Sequence, residues 1–236
     1  MANFKTHISV AAALSGCLAT GFLEVGIATP KDVWLYFTLG TLGGILPDID
    51  AHNSIPGRML FSFFAMILAF VALFSRANAY SIVELSILWM VTYVVVRYII
   101  FQMFAMLTIH RGIFHSILAA VFFCFITTDI VYYFFTFNPL NAWICGFFVF
   151  IGYIIHLTLD EIYSVNLIDA KIKKSFGTAL KIISANMMTT SLLFLATVLA
   201  FSIAPSSKSF VKTVLSFDTY RSVKVKLLPQ AGWFKL

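Results

Sequence analysis

Charged residues are scarce in this chain. Only 11% of its 236 residues are Asp, Glu, Lys or Arg, whereas a typical soluble domain carries about 25%. Hydrophobic residues make up 61% of the chain, and one core of this size cannot bury that much apolar surface. The high hydrophobicity also excludes a disordered chain. The composition therefore predicts a multi-pass membrane protein.

Cysteine is also rare, and the net positive charge of the chain is small. Cys17, Cys124 and Cys145 lie in apolar stretches without a CxxC spacing, which is typical of free thiols that pack as small hydrophobic groups. The formal net charge is +6, but the basic residues are too thinly spread for a nucleic-acid surface, so we expect no nucleic-acid partner.

Long apolar runs dominate what remains. Lipid offers the backbone no hydrogen-bond partner, so such runs are expected to be helices, which need about 20 residues to cross the hydrocarbon. The runs cover residues 8–28, 33–46, 59–74, 82–109, 114–137, 142–159 and 187–204. We therefore expect an all-α transmembrane bundle of about five to seven membrane helices over residues 1–204, followed by a basic tail over 205–236.

The few ionisable side chains fall in a pattern. If successive runs cross the membrane in alternate directions, all five histidines and several carboxylates reach the side where the chain begins. These residues are His7, His52, His110, His115 and His156, with Asp48, Asp50, Asp160 and Glu161. Because a charge inside the membrane costs several kcal/mol, we interpret this one-sided grouping as one assembled site.

The spacing within the group suits a metal. His156 and Asp160 are four residues apart and share one helix face. Asp48 and Asp50 follow a helix end, where an extended loop would point both the same way. Imidazole and carboxylate are normal ligands of zinc and related divalent ions. The predicted ligands are His7, Asp48, Asp50, His110, His115, His156 and Asp160, and zinc is the first choice because imidazoles predominate.

A metal at this place would favour hydrolysis. A bound divalent ion lowers the pKa of its water to about 7, Asp50 or Asp48 would act as the base, and Arg111 would hold an anionic oxygen. We therefore expect a metal-dependent hydrolase of phosphoester or lipid-related substrates, with membrane lipids as partners. The alternative is a metal-binding or scaffolding membrane protein without catalysis, in which Arg111 is an interfacial anchor and the two aspartates form a capping turn.

Two further charges lie away from this group. Arg97 and Asp129 are each about 20 Å along a helix from it, at 1.5 Å per residue. Because consecutive antiparallel helices bring them to one depth, we expect a structural ion pair within the membrane.

The motifs also carry a family resemblance. They are Thr6-His7, the 44–50 stretch Gly-Ile-Leu-Pro-Asp-Ile-Asp, the 110–116 stretch from His110 to Ser116, and the 152–160 stretch from Gly152 to Asp160. Over about residues 5–181 the chain resembles the YdjM-like family of inner-membrane metal-dependent hydrolases. This family is distantly similar to zinc-dependent phospholipase C and P1-type nucleases. The resemblance implies phosphoester hydrolysis and a multi-pass protein of the bacterial inner membrane.

Overall fold

Helices account for almost all of the regular structure. The computed structural model describes residues 3–50, 55–76, 79–102, 114–166, 171–172, 181, 187–214 and 216–227. In chain order the helices are α1 (Phe4–Glu24), α2 (Pro30–Gly43), α3 (Ile55–Ser75), α4 (Ile82–Val94), α5 (Ile117–Tyr133), α6 (Pro139–Ile162), α7 (Met187–Ile203), α8 (Lys208–Val214) and α9 (Phe217–Lys226). A 3₁₀ helix covers Leu46–Asp50, and α4 continues as a π-helix over Val95–Ile100. Val165–Asn166 pairs antiparallel with Lys171–Ile172. The expected all-α class is confirmed.

The chain divides into two compact units. The first unit contains Met1–Ile45 and His115–Leu236, and the second contains Leu46–Phe114. The predicted boundary between residues 204 and 205 stays a prediction. Within the first unit, α8 packs against α6, because Phe210 lies 6.0 Å from Trp143 and 5.8 Å from Phe147, measured between ring centroids.

Helix α6 forms the core of the first unit, and glycines let its neighbours approach closely. A Cβ atom at Gly152 would collide with the carbonyl of Gly40 on α2, and one at Gly43 would collide with the backbone of Val149. A Cβ at Gly146 would meet α5 in the same way. Helices in lipid associate by close packing rather than by the hydrophobic effect, so small residues at the interface favour this assembly.

Helix α1 presents one buried stripe to this core. Its buried residues recur at three- and four-residue spacing, which places them on one face. They are His7, Ala11, Ser15, Ala19 and Phe22. His7 is therefore buried because it lies on the same face of α1 that packs against the core.

Helix α5 is shorter than its apolar run. The run extends to Phe137, but the helix ends at Tyr133 and has 17 residues. Thr136 adopts a left-handed φ of 54°, and Asn138 accepts a hydrogen bond from the backbone N–H of Asn141, which begins α6 at Pro139. Turn geometry therefore ends the helix before the hydrophobic residues end.

Among the described residues, three helices are long and apolar enough to cross a membrane: Phe4–Glu24, Ile82–Ile100 and Pro139–Ile162. A fourth span results if Met187–Ile203 and Lys208–Lys226, which are bent by 93°, are counted as one. The expected number of five to seven membrane helices stays a prediction.

The second unit is a hairpin of α3 and α4 with apolar side chains on its surface. Phe63, Val83 and Ile82 are 62%, 68% and 83% exposed, as lipid-facing residues would be. Arg97 lies in the π-helix with its guanidinium 5.2 Å from the Tyr98 ring centroid and 5.4 Å from that of Phe101. This cation–π geometry favours the charge at an apolar position.

Candidate metal centre

His7 is placed by the start of α1. The side chain of Asn3 accepts a hydrogen bond from the backbone N–H of Thr6 at 2.8 Å, which satisfies a helix-terminal donor and begins the helix at Phe4. His7 therefore lies in the first turn, on the buried face, with 2% of its surface exposed.

His115 is placed by the start of α5 in the same way. Ser116 is the N-cap residue, and its Oγ accepts a hydrogen bond from the backbone N–H of Ala119 at 3.2 Å. The backbone N–H of Ile117 donates to the carbonyl of Lys181 at 3.0 Å. These contacts fix the backbone directly after His115, which is buried.

His156 and Asp160 come from the last turns of α6. They lie one helical turn apart on the same face, as their spacing predicts, and both are buried. Because α1 and α5 begin where α6 ends, all four residues lie at one end of the first unit.

Three imidazole nitrogens face the carboxylate of Asp160. The Nε2 atom of His7 lies 3.2 Å from Oδ1. The Nε2 atoms of His115 and His156 lie 3.7 Å and 3.9 Å from Oδ2. In a tetrahedral zinc site with bonds of about 2.0–2.1 Å, neighbouring ligand atoms are about 3.3 Å apart. The observed distances therefore have the scale of a metal coordination shell.

His7, His156 and Asp160 form a compact set. One ligand atom from each lies within 4.8 Å of the other two. The ring of His7 stacks on that of His156, with centroids 3.7 Å apart and an interplanar angle of 11°. His115 meets His156 edge-on at 5.7 Å and 74°.

The backbone determines which nitrogen of His156 faces the carboxylate. Nδ1 lies 2.7 Å from the carbonyl oxygen of Gly44, at the end of α2. A carbonyl oxygen only accepts, so Nδ1 carries the proton and donates. In the neutral ring, Nε2 then presents a lone pair towards Asp160. Metal-binding histidines commonly use this carbonyl bond to fix the tautomer and the ring orientation.

The charges of the cluster also fit a cation. A buried carboxylate is stabilised by a compensating positive charge, and a divalent ion held by Asp160 and the imidazoles would supply it. The Nδ1 atom of His7 is buried and makes no hydrogen bond to a described residue. The donor set of three imidazoles and one carboxylate suits zinc.

The other predicted ligands belong to the second unit or lie outside the described residues. Asp48 and Asp50 belong to the 3₁₀ helix that opens the second unit, whereas His52, His110 and Arg111 lie outside the described residues. The prediction of an extended loop at Asp48–Asp50 is wrong, because Pro47 has a φ compatible with a helical turn. Positions two apart in a 3₁₀ helix do not share a face. The roles of Asp48, Asp50, His110 and Arg111 stay predictions.

The expected ion pair of Arg97 and Asp129 also stays a prediction, since these residues belong to different units. Asp129 is 6% exposed. Its two carboxylate oxygens accept no hydrogen bond within the described part of the chain.

The sequence did not predict the role of the Gly44 backbone carbonyl, which orients the ring of His156. The glycine pair at positions 43 and 44 carried a usable signal, because small residues in an apolar helix mark close helix contacts. A Cβ at Gly44 would collide with Ala11 on α1.

The fold and this cluster define a helical integral membrane protein with a buried group of histidines and aspartate. The sequence model of the YdjM inner membrane protein family matches residues 1–217. The chain therefore belongs to the YdjM inner membrane protein family, and it is an inner-membrane protein. No curated protein and no solved structure matches the chain.

Proposed function

We propose that this protein is a membrane-embedded hydrolase that uses a divalent metal, with zinc as the first choice, to cleave phosphoester or lipid-related substrates. The observation that carries the proposal is the approach of three imidazole Nε2 atoms to 3.2–3.9 Å from the Asp160 carboxylate. His7, His115, His156 and Asp160 would hold the ion. This donor set is typical of zinc.

Individual residues would then have separate roles in catalysis. Gly44 keeps the Nε2 atom of His156 directed at the site through the 2.7 Å contact to Nδ1. The ion, when bound, supplies Lewis-acid polarisation of the substrate and activation of water. The sequence predicts Asp50 or Asp48 as the proton acceptor and Arg111 as the group that holds an anionic oxygen of the substrate, and these roles stay predictions.

The position of the cluster favours a substrate at the membrane face. His7 lies in the first turn of α1, His115 directly precedes α5, and Asp160 lies two residues before the end of α6. The ends of membrane helices lie near the lipid headgroups. Phosphate esters are therefore present where the cluster lies.

A metal-binding protein without catalysis is the second candidate, and one observation favours it. Three histidines and one aspartate supply four donors, which fill a tetrahedral shell as in structural zinc sites, whereas catalytic sites keep one position open. Turnover by the metal-loaded protein distinguishes the two candidates.

The test compares two neighbouring carboxylates on α6. Asp160→Asn removes a proposed ligand with little change in volume, and Glu161→Gln removes a charge one residue away. After chelation and reloading with zinc, we expect wild type and Glu161→Gln to retain the metal in elemental analysis, and Asp160→Asn to lose it. Equal retention by both variants would refute the site.

Activity requires a second measurement on the same samples. We expect wild-type protein in lipid to hydrolyse a phosphodiester, to stop on chelation, and to resume after addition of zinc. A protein that retains zinc but shows no turnover supports the non-catalytic candidate.

A further inference from the structure

The C-terminal helices attach to the end of the first unit opposite the metal centre. The Nζ of Lys226 on α9 donates a hydrogen bond to the carbonyl of Glu24, the last residue of α1. The indole N–H of Trp143, near the start of α6, donates to the carbonyl of Pro205 at 2.9 Å. The metal centre lies at the start of α1 and the end of α6. The tail is therefore fixed at the other membrane face.

The tail also turns away from the direction of the helix that precedes it. The segment Lys208–Lys226 is bent by 93° from the apolar helix Met187–Ile203. At this bend, the hydroxyl of Tyr133 donates to the carbonyl of Ile203 at 2.7 Å. Tyr and Trp are enriched where helices meet the headgroup region. A basic segment perpendicular to the apolar helix α7 at this level is oriented along the membrane surface.

The composition of the tail suits an anionic surface. Residues 208–226 contain five basic residues and one acidic residue, Asp218. The basic residues are Lys208, Lys212, Arg221, Lys224 and Lys226. Phe217 and Tyr220 on α9 are 78% and 65% exposed. Basic residues combined with exposed aromatic residues are characteristic of helices that lie in the membrane interface.

A groove on α9 gathers some of these groups. It has a volume of about 270 Å³ and is lined by Arg221, Ser222, Val225 and Lys226. The guanidinium of Arg221 and the hydroxyl of Ser222 are suited to a phosphate, which Arg can bind with two parallel hydrogen bonds. The ammonium of Lys226 adds positive charge beside them while it donates to the Glu24 carbonyl. Lys224 lies on the same helix but does not line the groove.

We propose that this groove binds the phosphate of an anionic phospholipid, and that α9 thereby anchors the face of the protein opposite the metal centre. The family match ends at residue 217, so the groove belongs to the part of this chain beyond it. The proposal does not depend on the hydrolase function, because no residue of the metal centre takes part.

The experiment compares two single-charge variants of the full-length protein in neutral detergent. Arg221→Gln removes a groove residue, and Lys224→Gln removes an equal charge outside the groove. Phosphatidylglycerol is titrated, and bound lipid is measured by native mass spectrometry. We expect Arg221→Gln to weaken binding about tenfold, as loss of a hydrogen bond to a charged group does, and Lys224→Gln to weaken it clearly less.

Three outcomes would overturn the proposal. Equal weakening by the two variants would indicate diffuse attraction without a groove. Equal binding of phosphatidylcholine would show that the anionic headgroup is not recognised. Full competition by inorganic phosphate would identify a site for soluble phosphate instead. Arg221→Lys serves as a second variant, because it keeps the charge and removes the paired hydrogen bonds.

Discussion

The Nδ1 atom of His156 lies 2.7 Å from the carbonyl oxygen of Gly44, which joins α6 to the end of α2. This single contact connects helix packing with the chemistry of the cluster. Gly44 also lies against Ala11 of α1, where a Cβ atom would collide. The absence of a side chain at position 44 therefore determines where the carbonyl lies, and the carbonyl determines how His156 faces Asp160.

Gly44→Ala tests this connection. The added methyl group forces α1 and α2 apart, so we expect a loss of stability of about 1–3 kcal/mol, as for overpacked cores. We also expect metal affinity to fall by roughly 10- to 100-fold, as for loss of an outer partner of a metal ligand. Thermal unfolding and zinc titration of the purified protein measure the two effects.

Gly21→Ala is the matched control for this substitution. It lies on α1, and a Cβ there would have no other group within 4 Å. Ala is favoured over Gly within a helix by about 1 kcal/mol, so stability should rise slightly with unchanged zinc affinity. If Gly44→Ala behaves like this control, the missing side chain at position 44 does not determine the helix packing or the orientation of His156.

His115→Ala separates the compact ligand set from its fourth member. His7, His156 and Asp160 stay together without His115, so we expect a smaller loss of zinc affinity than for His156→Ala. His156→Ala should cost more than the roughly 10- to 100-fold that loss of an outer partner costs. Isothermal titration with zinc provides the comparison. An equal loss in the two variants would contradict this expectation and would mean that His115 is as important a ligand as His156.

The four clustered residues could be predicted to lie at one end of the bundle from the sequence, because charged residues are so scarce in the chain. His156 and Asp160 share a face by simple helical spacing, and alternate crossing brings His7 and His115 to the same end. Local backbone geometry was harder to predict. The helical turn at Asp48–Asp50 depends on Pro47, and the early end of α5 depends on the φ of Thr136. Hydrophobicity alone does not encode either feature.

Asp129→Leu tests the buried carboxylate on α5. Asp129 is buried and accepts no hydrogen bond from a described residue. Replacing a buried carboxyl group that has no hydrogen-bond partner among the described residues with an apolar side chain of similar size should stabilise the protein, by about 1–3 kcal/mol. Thermal unfolding in detergent measures the change. A destabilisation of about 3–5 kcal/mol would instead indicate an intact buried ion pair, and Arg97→Leu should then have a similar effect.

Zinc binding should change the stacking of His7 on His156. The rings are parallel within 11° with centroids 3.7 Å apart, so their two planes do not meet at a common point near the rings. Two nitrogens at about 2.0–2.1 Å from one ion must point towards a common centre, which requires the rings to tilt apart. A structure determined with zinc should therefore show an anomalous signal beside Asp160 and a clearly larger interplanar angle. Rings that stay parallel without this signal would indicate that a proton neutralises Asp160, and the metal-dependent hydrolase would then lose its basis.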